Sequence, residues 1–350
     1  MAAPDRISLP STVDTIDATL FPQIIELYLE QKLAQGKVSP STIKNYRVYL
    51  GPWHAFWEQR PDLHNYQLSS ETFNVAIEWV RTEFVNSRGW RPDENAVAQC
   101  FQRLRQVLRW AYESGCTGNA NLTDWCPLLK SIPTNALFPT IDELKAVFAQ
   151  PSGEYRMRDL ALLGFLVSTG ARRMEASKAL IENLTFLTPL TDLRLGNDHR
   201  GYCELHQVKG DADGSRRRGR VVAFCSDAGL LLKAYLRSVN RVEGAIFGLT
   251  DSAIGQVINK YAVAAGIPKL SPHAFRRCFA DYWDEQLGIG GREALKKQLG
   301  HAVSSGDITE RHYISPNLRR VAREILKVHV SPLAEIGLPW EVLPVHIGEN

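Results

Sequence analysis

One short stretch divides this chain. Residues Ser131-Ile132-Pro133-Thr134-Asn135-Ala136-Leu137-Phe138-Pro139 have the composition of a linker. Thr140-Ile141-Asp142-Glu143 follows at once. A hydroxyl at the N-cap and a carboxylate three residues on satisfy free N–H groups reciprocally, so a new helix is predicted to start there. The expected organisation is an N-terminal extension (1–19), a helical domain (20–131), a linker (132–139), a second domain (140–328) and a tail (329–350). With 350 residues, 44% of them hydrophobic, the chain can fill two cores.

The first domain reads as a helical bundle. Phe21 to Gln35 is amphipathic and stops at Gly36. Ser39-Pro40-Ser41 caps a helix predicted to run to Trp57, kinked or broken at Gly51-Pro52. A third helix is expected from Ser70 or Glu71 to Val85, and a fourth from Glu94 to Ser114. On the fourth, Phe101, Leu104, Leu108 and Ala111 form an apolar stripe. Arg105 and Arg109, four apart, repel unless an anion lies nearby.

The second domain mixes elements. The apolar run Leu160 to Val167 predicts a buried helix ending near Gly170. The stretch from Tyr202 to Lys209 and that from Arg220 to Phe224 lie around a polar, Gly-containing loop, Gly210 to Gly219, and predict a β-hairpin. Ser271 and Pro272 suit the N-cap and first position of a further helix. Arg292 to Gln298 reads as a helix stopping at Gly300. Ser315-Pro316 opens another to Lys327, with Leu318, Val321, Ala322, Ile325 and Leu326 on one side. The fold class is therefore mainly α with a small β-sheet.

Within this domain lies an ordered set of phosphate-handling groups: Arg172 in Thr169-Gly170-Ala171-Arg172, Lys209 in the hairpin, His273 and Arg276 in Ser271-Pro272-His273-Ala274-Phe275-Arg276, His301 in Leu299-Gly300-His301, and Tyr313. Cleaving a phosphodiester means stabilising charge that spreads over non-bridging oxygens. The planar fork of Arg matches two such oxygens and stays charged. A phenol supplies the nucleophile, and Lys or His supplies acid and base. His273 and Arg276 share a helix face, in a first turn that favours anions. Glu175 lies within helical reach of Arg172 and could orient it. Arg173 rivals Arg172, and Tyr282 rivals Tyr313, on sequence proximity alone.

The order Arg, Lys, His-x-x-Arg, His, Tyr resembles the tyrosine recombinase (phage integrase) family, over residues from about Leu20 to Lys327. The Thr-Gly-x-Arg-x-x-Glu spacing of that family matches Arg172 rather than Arg173. The resemblance implies a helical core-binding domain and a mixed α/β catalytic domain that clamp double-stranded DNA recombination sites, as a homo-tetramer on DNA. It implies that Tyr313 attacks the scissile phosphate to leave a 3′-phosphotyrosine, with Arg172 and Arg276 clamping the phosphate. Lys209 would protonate the 5′-oxygen, His273 would act as base and then acid, and His301 would bond the phosphate. No metal and no cofactor are implied. The tail, with Trp340 among its apolar residues, is expected to dock on a neighbouring subunit, folding back being the alternative. Two other functions remain open: a type IB topoisomerase-like enzyme, and a catalytically silent DNA-binding protein on the same scaffold.

Composition limits the partners. A net charge of +3 is too small to announce nucleic acid, so a DNA site requires basic residues focused on one face. Candidates are Lys44, Arg103, Arg105, Arg109 and the run Arg216-Arg217-Arg218. No apolar run is long enough for a membrane span. Met1 to Thr19 lacks a signal-peptide pattern, and six scattered Cys suggest free thiols in a reducing compartment. A cytoplasmic, nucleoid-associated protein is the expectation.

Overall fold

The structure, a computed structural model, describes residues 21–36, 38–60, 69–86, 89–115, 121–132, 138–205, 220–267, 270–300 and 318–337. The chain divides into two compact units between Asn135 and Ala136.

The first unit is built on α1 (Phe21–Ala34), α2 (Pro40–Gln59), α3 (Ser70–Thr82) and α4 (Glu94–Glu113). Hydroxyl or carboxylate caps start three of them: Ser39, Ser69 and Asp93 accept from Thr42 N, Thr72 N and Ala96 N. The core is aromatic. Trp53 stacks on Phe73 at 5.4 Å between centroids and meets Trp57 and Phe101 edge-on. This packing explains why α2 continues through Pro52, where a kink or a break is expected from sequence. Leu50, Trp53, Phe56 and Trp57 are all buried, so the same core holds both sides of the proline. Burial at about 25 cal/mol per Å² outweighs one lost hydrogen bond.

The second unit opens with α5 (Ile141–Phe148), whose capping box forms as the sequence requires. Glu143 N donates to Thr140 Oγ1 at 3.2 Å, and Thr140 N donates to Glu143 Oε2 at 2.8 Å. Next come α6 (Arg156–Thr169), α7 (Arg173–Ser177), a 3₁₀ turn at Ile181–Asn183, β1 (Leu184–Phe186), β2 (Gly201–Leu205), β3 (Arg220–Phe224), α8 (Ser226–Ser238) and α9 (Asp251–Ala264). Then follow α10 (Pro272–Leu299), interrupted at Gly288, α11 (Leu318–Val328) and α12 (Leu333–Ile336).

The strands form one antiparallel sheet in the order β1-β2-β3, with Cys203 opposite both Leu184 and Val222. Both faces of β3 are covered, and its side chains alternate between two cores. Val222 and Phe224 join the cluster around α6, α8 and α9. Val221 and Ala223 join Phe279, Trp283 and Leu299 of α10 and Ala322, Ile325 and Leu326 of α11. α6 is buried all round from Asp159 to Thr169, since α8, α10 and α12 all pack on it.

The first part of the C-terminal segment packs on its own unit. Leu333 and Ile336 are buried in the core of their own unit, and Tyr282 Oη donates to Glu335 Oε1 at 2.8 Å. Residues 329–337 therefore pack in cis, because those apolar side chains complete the α6 core. The rest of the tail, Trp340 included, lies outside the described residues. Among the described residues, no helix is long and apolar enough to cross a membrane.

Candidate active site

Four elements bring their ends together in the second unit. α6 terminates at Gly170, which takes a left-handed conformation (φ +60°). A Cβ there would also lie 2.8 Å from Phe279 Cδ1, so glycine is required for both backbone and space. The chain turns, and Arg172 becomes the N-cap of α7. From α10, Arg276 Nη1 donates to Gly170 O at 2.7 Å, and its Nη2 donates to Leu299 O. One buried guanidinium thus ties the end of α6 to the end of α10.

Glu175 is the hub. Its Oε1 accepts from Arg172 Nη1 at 2.9 Å and from Arg220 Nε at 3.0 Å. Its Oε2 accepts from the Arg172 backbone N and from Arg220 Nη2, both at 2.6 Å. The side chain of Glu175 is 3% exposed and that of Arg220 6%, whereas that of Arg172 is 46% exposed. Burial pushes the Glu175 carboxyl up, but the bonds from Arg220 and Arg172 prevail and hold it below its usual range. Burial lowers Arg276 to about 10, helped by the positive charges of Arg220 and Arg172, so it stays protonated at neutral pH.

His273 stands exposed in the first turn of α10, where Ser271 Oγ accepts from Ala274 N at 3.3 Å and Pro272 occupies the first position. Partial burial lowers its pKa, as do Arg277, Arg276 and Arg172 in turn. This favours the neutral imidazole, the form that can accept a proton.

Gln298 braces the far side. Its amide closes the open edge of β3: Oε1 accepts from Ala223 N at 2.9 Å and Nε2 donates to Ala223 O at 2.9 Å. Nε2 also donates to Thr169 O at 3.1 Å. Next to it, Gly300 has φ +64°, and a Cβ there would sit 2.5 Å from Arg220 Cδ.

The sequence candidates fall into three groups. Arg172, Glu175, His273 and Arg276 lie together. Lys209, Arg216, Arg217, Arg218, His301 and Tyr313 lie outside the described residues. Lys44, Arg103, Arg105 and Arg109 belong to the first unit. There Lys44 and Arg109 are exposed, and Arg103 lies over the Tyr46 ring at 4.8 Å. Arg105 is engaged otherwise: its Nη1 donates to Thr123 O at 2.6 Å and to Cys126 O. It braces the turn around Thr123 and Cys126.

Both rivals have other work. Arg173 forms a two-bond pair with Asp251 at 2.7 Å in each bond, joining α7 to α9. The phenol of Tyr282 is pushed up to about 12 by burial and by Glu335. The residue that sequence reasoning missed is Arg220. Its only signal was a charge opening the apolar run Arg220-Val221-Val222-Ala223-Phe224. Among the described residues, no group of three or more His, Cys, Asp or Glu could hold a metal ion.

Several solved structures resemble this chain. Lambda integrase (residues 75–356) bound to DNA matches with TM-score 0.56 and 14% identity, over 86% of this chain and 95% of that one. The lambda integrase tetramer bound to a Holliday junction matches with TM-score 0.57 and 15% identity, over 86% and 81%. The XerH site-specific recombinase bound to its difH substrate matches with TM-score 0.52 and 16% identity, over 86% and 82%. No protein-family model and no curated protein matches. The chain has the integrase fold of the tyrosine recombinases, mostly helical with a small three-stranded antiparallel sheet.

Proposed function

We propose that this chain is a site-specific DNA recombinase that cleaves and rejoins strands through a 3′-phosphotyrosine. One observation carries the reading: within an integrase fold, Arg172 and Arg276 lie beside one carboxylate, Glu175, and His273 lies within the field of both guanidiniums. Three guanidiniums, those of Arg172, Arg220 and Arg276, face a single carboxylate, Glu175. The excess of positive charge suits an anionic transition state.

In this mechanism the Tyr313 Oη attacks the scissile phosphorus and passes its proton to His273. The bond to the 5′-oxygen breaks, and Lys209 supplies that oxygen with a proton. Arg172 and Arg276 hold the non-bridging oxygens, with His301 as a further donor. The phosphodiester energy is kept in the phosphotyrosine, so the reverse attack by a 5′-hydroxyl needs neither nucleotide nor metal. Duplex DNA sites are the partners, bound by a homo-tetramer, with Lys44, Arg103 and Arg109 of the first unit and Arg216, Arg217 and Arg218 of the hairpin on phosphates.

The test is to incubate the protein with the DNA that flanks its own gene, and to sequence junctions and covalent adducts. Recombined junctions between two duplexes are expected. Adducts with relaxation but no joining would identify a topoisomerase-like enzyme. Binding without any adduct would identify a silent DNA-binding protein.

A further inference from the structure

Arg220 has no place in the phosphate-handling order, yet it touches Glu175, Gln298 and Gly300 and its charge is felt by Arg276. It opens β3, directly after the segment 206–219 that carries Lys209. Its guanidinium bonds both oxygens of Glu175, and Nη1 donates to Gln298 O. Gly300, the residue before His301, packs against its Cδ.

Each Glu175 oxygen takes one bond from Arg172 and one from Arg220. Arg172 is half exposed, and its orientation is set by a carboxylate that Arg220 locks from the buried side. An enclosed Arg–Glu pair is a poor device for stability, because desolvation offsets the attraction and apolar residues do as well or better. Such a pair is informative when its charge is used elsewhere, and here the remaining bonding capacity of Glu175 is directed at Arg172. Without Arg220, burial would favour the protonated carboxyl. A neutral Glu175 would grip Arg172 weakly.

We propose that Arg220 is a positioning residue of the recombination reaction proposed above, on which this inference rests: it keeps Glu175 ionised and aimed, so that Arg172 meets the phosphate in one orientation.

The test uses the full chain and nicked duplexes tiled across the DNA flanking its own gene, with covalent adduct formation followed in single turnover. Arg220→Gln should slow adduct formation about 10- to 100-fold, the usual cost of removing a supporting group, while DNA affinity stays within about threefold. The acid limb of its pH–rate profile should move to higher pH, because Glu175 takes up its proton earlier. The double variant Arg220→Gln, Glu175→Gln should regain thermal stability but not rate, since a neutral amide cannot hold Arg172 as a carboxylate does. If Arg220→Gln does not fold, Arg220→Lys decides, with a rate loss expected because one ammonium cannot fill two oxygens and a carbonyl. Wild-type rates in the folded single variant, or recovery of both stability and rate in the double variant, would reduce Arg220 to a packing group. Absence of any adduct with the wild-type chain would instead sink the recombinase reading, and the positioning role with it.

Discussion

Arg220 meets Glu175 through two bonds, of 3.0 and 2.6 Å, with both side chains almost fully enclosed. The pair joins residues 45 positions apart, and it is what the Arg172 guanidinium leans on. Because Arg172 and Arg276 present planar forks, Arg172→Lys and Arg276→Lys should each lose most strand cleavage. A lost transition-state contact of about 2.7–4 kcal/mol corresponds to a fall of about 10²–10³. Rates within a few-fold of wild type in either variant would take that residue out of the reaction.

Tyr313→Phe removes only a hydroxyl, so it should abolish covalent linkage to DNA and leave binding nearly intact. Tyr282→Phe should keep the adduct and lose about 1 kcal/mol at most, the worth of one bond to Glu335. A denaturing gel separates the two. An adduct that survives in Tyr313→Phe and vanishes in Tyr282→Phe would reverse the assignment.

Gln298→Ala should destabilise the second unit by about 1–3 kcal/mol, because it strands the buried N–H of Ala223 and takes a bond from its C=O. A lower denaturant midpoint with an unchanged slope is the expected result. An unshifted midpoint would mean that water replaces the amide.

How far the sequence foretells this site depends on the distance between partners. Arg172 and Glu175 are three apart, and His273 and Arg276 also, so helical spacing alone suggested each pair. The Thr140 capping box and the Gly170 and Gly300 stops were legible for the same reason. Arg220 was not, since its partners Glu175 and Gln298 come from distant segments that only the fold unites. β1, three residues long, is too short for an alternating pattern, and α8 and α9 carry no motif that calls attention to them. Between the kink and the break that Pro52 suggests, the sequence does not choose, because burial on both sides of a proline is a tertiary fact.

His329 makes stability depend on pH. Its Nε2 donates to Ser168 O at 2.9 Å, and the ring lies edge-on to Trp283. Burial lowers its pKa from 6.5 to about 4. Between those values the unfolded chain binds a proton that the folded chain refuses. The contribution is therefore complete above pH 6.5, declines as pH falls, and is gone below about 4. At ~1.4 kcal/mol per pH unit its ceiling is about 3 kcal/mol. In His329→Gln the slope of unfolding free energy across this window should flatten. A slope identical to wild type would assign the acid sensitivity elsewhere.

Arg105 and Arg109 should separate by salt dependence. Arg109→Ala should weaken DNA binding and reduce the slope of log affinity against log salt by about one. Arg105→Ala should lower stability and leave that slope unchanged, since its guanidinium holds the carbonyls of Thr123 and Cys126. Equal slope changes in both would place Arg105 on phosphate after all.

The aromatic core of the first unit has a practical consequence for anyone watching this protein unfold. Of the eight tryptophans, six (Trp53, Trp57, Trp79, Trp90, Trp110 and Trp125) precede the division at Asn135. Intrinsic fluorescence is therefore chiefly a gauge of the helical bundle, and the unit that holds Arg172 and Arg276 could lose its packing with little change in signal. Trp283 alone watches that unit among the described residues, from between Phe279 and His329. A difference spectrum between the wild-type chain and Trp283→Phe would isolate its emission.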